Sequence, residues 1–217
     1  MNNDIFRHAD KSLMVMLNDM SREFQRISTQ LGFDELNVLD AQKTVSAMYS
    51  RMDSVIRREY RRIALAAYRD GGGRPDDFDM FEFVVTMLEA YDPLSGFVYD
   101  REWKRKQDRL FESIIATQRG NQEMRKALKR GLDVLANQVR QYADNITVGA
   151  RLKAFENRGV KYVRWVAEKD DRTCEECMDR DGKVYKIEDF PVCPAHWHCR
   201  CRPEPATKED YMKQQAA

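Results

Sequence analysis

Cys174-Glu-Glu-Cys177 and, after a loop, His196-Trp-His198-Cys199-Arg-Cys201 are the two motifs that decide the fold of the C-terminal part of this chain. Together with Cys193 they contain all five cysteines of the 217 residues and two of the three histidines. Thiolate and imidazole are the ligands that zinc prefers, and a C-x-x-C pair separated by a loop from further ligands is typical of structural zinc sites. The sequence therefore predicts one structural zinc ion per chain.

The segment offers five cysteines and two histidines, whereas a tetrahedral zinc ion binds only four ligands. We expect Cys174 and Cys177 to bind, because a C-x-x-C knuckle supplies two ligands from one tight turn. His196 is expected next. The fourth ligand is Cys199 or Cys201, and both would bind if the histidine did not. These five residues are the predicted metal-site residues.

Cys193 and His198 are the expected spares, although Cys193-x-x-His196 would form an alternative second knuckle. A disulfide framework would suit a secreted chain, but the first twelve residues are polar and charged and show no apolar signal-peptide core. A thioredoxin-like redox centre needs its C-x-x-C at the start of a helix within a larger α/β unit. Here the motif follows a short strand pattern and precedes a turn at 179–182, which favours the metal.

A catalytic zinc ion needs an open coordination position and an acid or base beside it. The chain has no H-E-x-x-H motif, and no H-x-E is paired with P-C-x-x-C as in the zinc deaminases. The second histidine pair of an HNH-type nuclease is also not found. Four soft ligands would leave no open position, so we expect a structural metal and no enzymatic activity.

The remainder of the chain has the apolar periodicity of long helices. The pattern predicts helices over residues 13–31, 40–69, 78–90, from about 101, 121–142 and 146–157, with Asp40 as an N-cap and Asn145 as another. The run Gly71–Gly73 interrupts the pattern. The apolar residues of the second predicted helix define its buried side: Val45, Tyr49, Met52, Ile56, Tyr60, Ile63 and Ala67.

Residues 161–167 change to a period of two, which predicts a strand, and residues 183–187 are its predicted hairpin partner after the Asp181-Gly182 turn. The expected fold class is mainly α: an elongated helical body with a small C-terminal α+β zinc-binding module. The predicted division is an N-terminal helical region over 1–90, a central helical region over 91–160, the zinc module over 161–203 and a polar tail over 204–217.

Charge and hydropathy give little indication of a partner. Lysine and arginine total 37 against 36 aspartate and glutamate residues, so no overall field attracts nucleic acid. Local basic runs such as 57–62 and 104–106 are more often solvated helix faces than phosphate-binding sites. No apolar run approaches the length of a membrane span, and no membrane association is expected.

Three ordered segments resemble the phage Mu F-like head morphogenesis family, the minor head (minor capsid) proteins of tailed bacteriophages: 162–177, 181–184 and 194–201. Two segments further upstream, 97–106 and 150–159, are also similar to that family. Residues 1–90 show no such similarity. The chain departs from the family at Trp197 and His198, where the family has proline and asparagine.

The resemblance implies a structural virion protein, made in the bacterial host cytoplasm and placed in the capsid interior or at the portal vertex. It implies the portal protein as the main partner, with the scaffold or major capsid protein and the packaged DNA as further contacts, and a role in head assembly or in genome packaging and ejection. Two alternatives stay open: a zinc-containing DNA-binding module inside the head, and a zinc-dependent nuclease or hydrolase.

Four further residues are expected to support the metal loop. Asp171 and Arg172 are placed to orient it through hydrogen bonds to its backbone. Arg200 is expected to point outward, where it would neutralise thiolate charge or contact a partner. Trp165 is expected to pack beneath the loop as part of the core.

Overall fold

The protein is mainly helical and ends in a small antiparallel sheet. A computed structural model describes residues 4–30, 38–117 and 121–216. The helices within these ranges are α1 (Asp4–Gln30), α2 (Val38–Asp70), α3 (Met80–Glu89), α4 (Tyr99–Ala116), α5 (Asn121–Asn157), α6 (Glu175–Arg180) and α7 (Lys208–Gln215). The strands are β1 (Tyr162–Val166), β2 (Val184–Lys186) and β3 (Arg202–Ala206). The expected combination of a helical body and a small C-terminal sheet is confirmed.

The apolar stripe of α2 is buried as its spacing predicts, and that of α1 is buried in part. All seven stripe residues of α2, from Val45 to Ala67, are at most 2 % exposed. The stripe predicted for α1 is Leu13, Leu17, Met20, Phe24, Ile27 and Leu31. Its members from Met20 to Ile27 are buried, Leu13 and Leu17 are half-buried, and Leu31 lies outside the described residues. The predicted N-cap at Asp40 is wrong, because α2 already begins at Val38 and Asp40 lies in its first turn. A carboxylate is also favourable there, since it faces the positive end of the helix dipole.

The glycine run after α2 ends the helix as predicted. Gly72 has φ +80°, a left-handed conformation that glycine adopts without strain. At Gly73 a Cβ atom would lie 2.2 Å from the ring of Tyr68, so only glycine allows the chain to pass so close to that side chain. Helices α3 and α4 follow, close to the predicted positions.

Helix α5 corrects the sequence prediction of two helices with a break before residue 146. It runs without interruption through Asn145, because no glycine or proline lies between 142 and 146 and the apolar period continues through Val139, Ala143 and Ile146, all fully buried. The helix ends where expected: Gly159 has φ +73°, and hydrogen bonds from Gly159 N to Glu156 O and from Val160 N to Phe155 O close a Schellman motif.

The sheet has the order β2-β1-β3, and both pairs are antiparallel. The predicted pairing of β1 with β2 is confirmed, with Val163 opposite Tyr185, and Gly182 takes φ +80° in the turn before β2. On the other side of β1, Trp165 lies opposite Pro203 and Val163 opposite Pro205.

The segment expected only to be a polar tail instead supplies part of β3 and all of α7. A capping box between Thr207 and Asp210 starts the helix. From its last turn the Gln214 amide binds the edge strand β2: Oε1 accepts from Val184 N at 2.6 Å, and Nε2 donates to Val184 O at 3.0 Å.

The chain forms two compact units. One contains the start of α1 together with residues 62–87 and 143–216, and therefore the whole sheet. The other contains the described residues of 10–61 and 88–142. The four-part domain division drawn from the sequence stays a prediction. No helix in the described part of the chain is both long enough and apolar enough to cross a membrane.

Candidate metal centre

Two segments next to the sheet bring the predicted ligands together. Cys174 is the N-cap of α6 and Cys177 lies in its first turn, while His196, Cys199 and Cys201 lie on the loop that leads into β3. Beneath them is Trp165, which is fully buried on the central strand and belongs to one apolar cluster with Cys177, Cys199 and Cys201. The prediction that Trp165 packs under this loop is confirmed.

The five residues form two overlapping triads that share Cys177. One is Cys174, Cys177 and His196, and the other is Cys177, Cys199 and Cys201; within each triad the ligand atoms lie within 4.8 Å of one another. Cys177 Sγ lies 3.7 Å from Cys199 Sγ and 3.2 Å from His196 Nε2, and Cys174 Sγ lies 3.1 Å from the same nitrogen.

These distances are close to those of a tetrahedral zinc site. Zn–S bonds of about 2.3 Å and Zn–N bonds of about 2.0 Å place neighbouring sulfur atoms about 3.8 Å apart and sulfur and nitrogen about 3.5 Å apart. The observed sulfur pair agrees, and the sulfur–nitrogen pairs are slightly closer. The donor set and its spacing therefore fit a zinc ion.

The orientation of His196 fits a metal ligand. Its Nδ1 lies 2.9 Å from the carbonyl oxygen of Trp197. Since a carbonyl only accepts, Nδ1 carries the proton and Nε2 directs its lone pair toward the two knuckle sulfur atoms. A ligating histidine usually donates its other ring N–H in this way, which fixes the tautomer and the plane of the ring. Burial lowers the pKa of His196, but the hydrogen bond to the Trp197 carbonyl and the neighbouring Cys199 and Cys174 outweigh this effect, so the pKa is raised overall.

The clustered thiols differ in how readily they lose a proton: the pKa is lowered at Cys174 and Cys199 and raised at Cys177 and Cys201. The backbone N–H of Cys177 lowers the pKa of Cys174, which it contacts at 3.4 Å. A hydrogen bond from the Cys201 thiol lowers the pKa of Cys199 to about 5. Burial raises the pKa of Cys177 to about 12. The pKa of Cys201 is also raised, because its thiol donates a hydrogen bond to Cys199. Several adjacent thiolates would repel one another in this buried setting, and a divalent cation removes that repulsion.

Cys193 and His198 lie outside both triads. The Cys193 thiol donates to the carbonyl of Cys201 at 3.5 Å, and burial raises its pKa. His198 is exposed and has φ +61°, a left-handed conformation unusual for a residue with a side chain. All five cysteines carry free thiols, so no disulfide framework is present.

The two ligand segments are joined by an ion pair that the sequence prediction missed. Arg200 donates to both carboxylate oxygens of Asp170, at 2.6 and 2.5 Å. The hydrogen bond from Arg200, together with the N–H of Arg172, holds the pKa of Asp170 well below its usual range. Arg200 was expected to point outward and Asp171 to orient the loop. Instead, Arg200 pairs with Asp170, and this pair joins the segment before the knuckle to the loop that leads into β3.

A sequence signal for Asp170 was available. Its Oδ1 accepts from Arg172 N, two residues ahead, at 3.0 Å. Aspartate makes this turn readily because its short side chain reaches the backbone two residues on. The hydroxyl of Thr173 adds a hydrogen bond to the carbonyl of Glu168 and so closes the segment before the knuckle.

The sheet and the segments beside it form a Cys/His module. Its four thiols and one imidazole lie close enough together to hold a metal ion. Residues 107–204 match the model of the family described as Phage Mu protein F like protein. The match confirms the resemblance seen in the sequence: it contains the three ordered segments and 150–159, whereas 97–106 lies just ahead of it. Searches of curated proteins and of solved structures gave no match.

Proposed function

We propose that this protein is a structural minor head protein of a tailed bacteriophage, associated with the portal vertex and assisting head assembly or genome packaging and ejection. The observation that carries the proposal is the family match over residues 107–204, since the family suggests a head morphogenesis protein. The proposed location is the virion, in the capsid interior or at the portal vertex. The proposed partners are the portal protein and, beyond it, scaffold or coat subunits and packaged DNA.

The helices support a role in protein contacts. Helix α3 exposes Phe81 and Val85, which are 56 % and 47 % accessible and lie one turn apart. Large apolar side chains exposed on one helix face are a common feature of surfaces that bind another protein. Such a face suits a component that is held inside a larger assembly.

We further propose that one structural zinc ion is held by four of the residues Cys174, Cys177, His196, Cys199 and Cys201. When bound, the metal would join α6 to the loop before β3. About 45 residues with a single small sheet bury little apolar surface, and a structural zinc ion contributes roughly 10–16 kcal/mol to the folding of comparable finger peptides at neutral pH.

The enzyme alternative receives little support from the geometry. The cleft beside the cluster, lined by Cys174, His196 and His198 among others, has a volume of about 10 Å³. This is about the space that one water molecule requires, and it is too small for a substrate. The DNA-binding alternative predicts binding that weakens steeply with salt.

Metal analysis tests the zinc proposal. We expect one zinc ion per chain in the wild type, and its loss in Cys174→Ser and His196→Ala. Cys193→Ser is the matched control, because it removes a half-buried thiol outside both triads, and it should keep the metal. Comparing Cys199→Ser with Cys201→Ser identifies the fourth ligand as the one whose loss releases zinc. A wild type without zinc after purification under reducing conditions would contradict the proposal.

Quantitative mass spectrometry of purified virions tests the head-protein proposal. We expect this chain in few copies per particle relative to the major coat protein. Particles assembled without it should show defects in assembly, packaging or ejection. Its absence from purified wild-type virions would overturn the proposed function and would leave the metal proposal untouched.

A further inference from the structure

A half-enclosed cleft lies within the compact unit formed by residues 10–61 and 88–142, far along the chain from the Cys/His cluster. Its volume of about 380 Å³ lies within the range of small-molecule sites, roughly 300–1,000 Å³. The apolar part of its wall comes from Leu110 on α4 and from Ala127, Gly131 and Val134 on α5. A Cβ atom at Gly131 would lie 2.8 Å from Leu110 Cδ1, so glycine at this position allows α4 and α5 to approach each other.

The charged part of the wall is predominantly basic. Lys106, Arg109, Lys126 and Arg130 line the cleft together with a single carboxylate, that of Glu123. Glu123 pairs with Lys126 at 2.6 Å, and Lys106 pairs at 2.9 Å with Glu102, which lies outside the lining. Over the described ranges of the chain, no carboxylate lies within 4 Å of the guanidinium groups of Arg109 or Arg130. The positive charge left next to the apolar surface is therefore that of Arg109 and Arg130.

Tyr49 on α2 supplies an independent indication of a ligand. Its side chain lines the cleft and is 1 % exposed, and its hydroxyl has no hydrogen-bond partner among the residues that the structure describes. Burial raises the pKa of Tyr49, so the hydroxyl stays protonated at neutral pH and can donate. A buried hydroxyl without a partner is unfavourable, and an acceptor brought by a bound molecule would satisfy it.

We propose that this cleft binds a small molecule with an apolar body and one anionic group, such as a medium-chain carboxylate. The apolar body would cover Leu110, Ala127 and Val134. The anionic group would pair with Arg109 and Arg130, whose planar guanidinium groups match the two oxygens of a carboxylate. The hydroxyl of Tyr49 would donate to the same molecule.

Calorimetric titration of the full chain with decanoate tests the proposal, with decanol and acetate as the two matched probes. Decanol keeps the apolar chain without the charge, and acetate keeps the charge without the chain. We expect decanoate to bind one to one and at least tenfold more tightly than either, with an affinity that falls as salt is raised. Absence of decanoate binding, or equal affinity for decanol, would overturn the proposal.

Variants locate the binding. Ala127→Leu places a larger side chain in the cleft and should abolish decanoate binding, while the double variant Arg109→Gln with Arg130→Gln should weaken it at least tenfold. Lys129→Gln is the matched control, since Lys129 is exposed on the same helix and outside the lining, and it should bind as the wild type does. Wild-type affinity in Ala127→Leu, with the fold intact by circular dichroism, would place the binding elsewhere and refute the assignment.

Discussion

Replacing Trp165 by alanine separates the contribution of the apolar core from that of the metal. The indole lies at the centre of the module, fully buried on β1 beneath the cysteine cluster. Its ring stacks on Phe190 at a centroid distance of 5.6 Å, and the guanidinium of Arg180 lies 5.1 Å from its centre. The substitution would remove the largest side chain of this core.

The two contributions differ enough in size to be distinguished. Truncating a buried tryptophan to alanine costs about 3–5 kcal/mol. A structural zinc ion contributes roughly 10–16 kcal/mol in finger peptides. We therefore expect the Trp165→Ala module to stay folded while zinc is bound and to unfold once zinc is removed.

Hydrogen exchange read by mass spectrometry on peptides covering 162–206 measures this directly. With zinc, the β1 amides of Trp165→Ala should stay protected, although they should exchange faster than in the wild type. After treatment with a chelator, protection should be lost in the variant to a greater extent than in the wild type. The helices of the 10–61 and 88–142 unit serve as an internal reference.

Trp165→Phe is the matched control. It keeps an aromatic ring in the core and removes an indole N–H that has no hydrogen-bond partner within the described residues. Its cost should be at most about 1–2 kcal/mol. Exchange in zinc-loaded Trp165→Ala that is as fast as in the chelated wild type would refute this ranking, because the metal would then contribute less to the free energy of unfolding than one core side chain.

Three further predictions concern single contacts. His198→Asn should raise the free energy of unfolding by up to about 1 kcal/mol in urea titrations, because asparagine tolerates the left-handed backbone better; a decrease would show that the imidazole stabilises the loop. Asp170→Asn should speed zinc release to a chelator by removing the pair with Arg200. Since the pKa of Asp170 is lowered by folding, its stabilising effect is complete at neutral pH and should fade only in acid below about pH 4. Zinc release itself depends on pH because protons compete for the ligands, so the release rate of the variant is divided by that of the wild type at each pH. A ratio that changed between pH 6 and 8 would contradict this assignment. Gln214→Ala should accelerate exchange of the Val184 amide at least about fivefold, and unchanged exchange would show that the side-chain contact does not protect this amide.

The helical part of the fold was predictable wherever a single periodic stripe determines burial, as from Val45 to Ala67 in α2. The prediction failed where a local signal was given more weight than the period. Asn145 was interpreted as a cap, yet the buried positions Val139, Ala143 and Ile146 keep one helix continuous across it.

Helix α7 shows the opposite failure. Its residues are polar and weakly periodic, so no apolar stripe predicts it. The capping box formed by Thr207 and Asp210 was the available signal. Its contact with the sheet depends on Gln214, a residue whose partner 30 positions away cannot be inferred from spacing.

The membership of the candidate site stays a prediction, although its five residues lie close together in the structure. Ligand chemistry and spacing identified the five residues that the structure brings together, while their binding of a metal stays a prediction. The choice between Cys199 and Cys201 could not follow from sequence, because both lie in one triad with Cys177 and differ only in how the loop folds. Asp170 was missed because its importance comes from a side chain 30 residues away.

Both edges of the module's sheet are partly blocked against further strands. An edge strand normally offers a row of free N–H and C=O groups that can recruit a strand from another chain. In β3 the residues Pro203 and Pro205 have no N–H to offer, and in β2 both backbone groups of Val184 are already taken by Gln214. Both edges of this sheet are therefore poor templates for a strand from another chain.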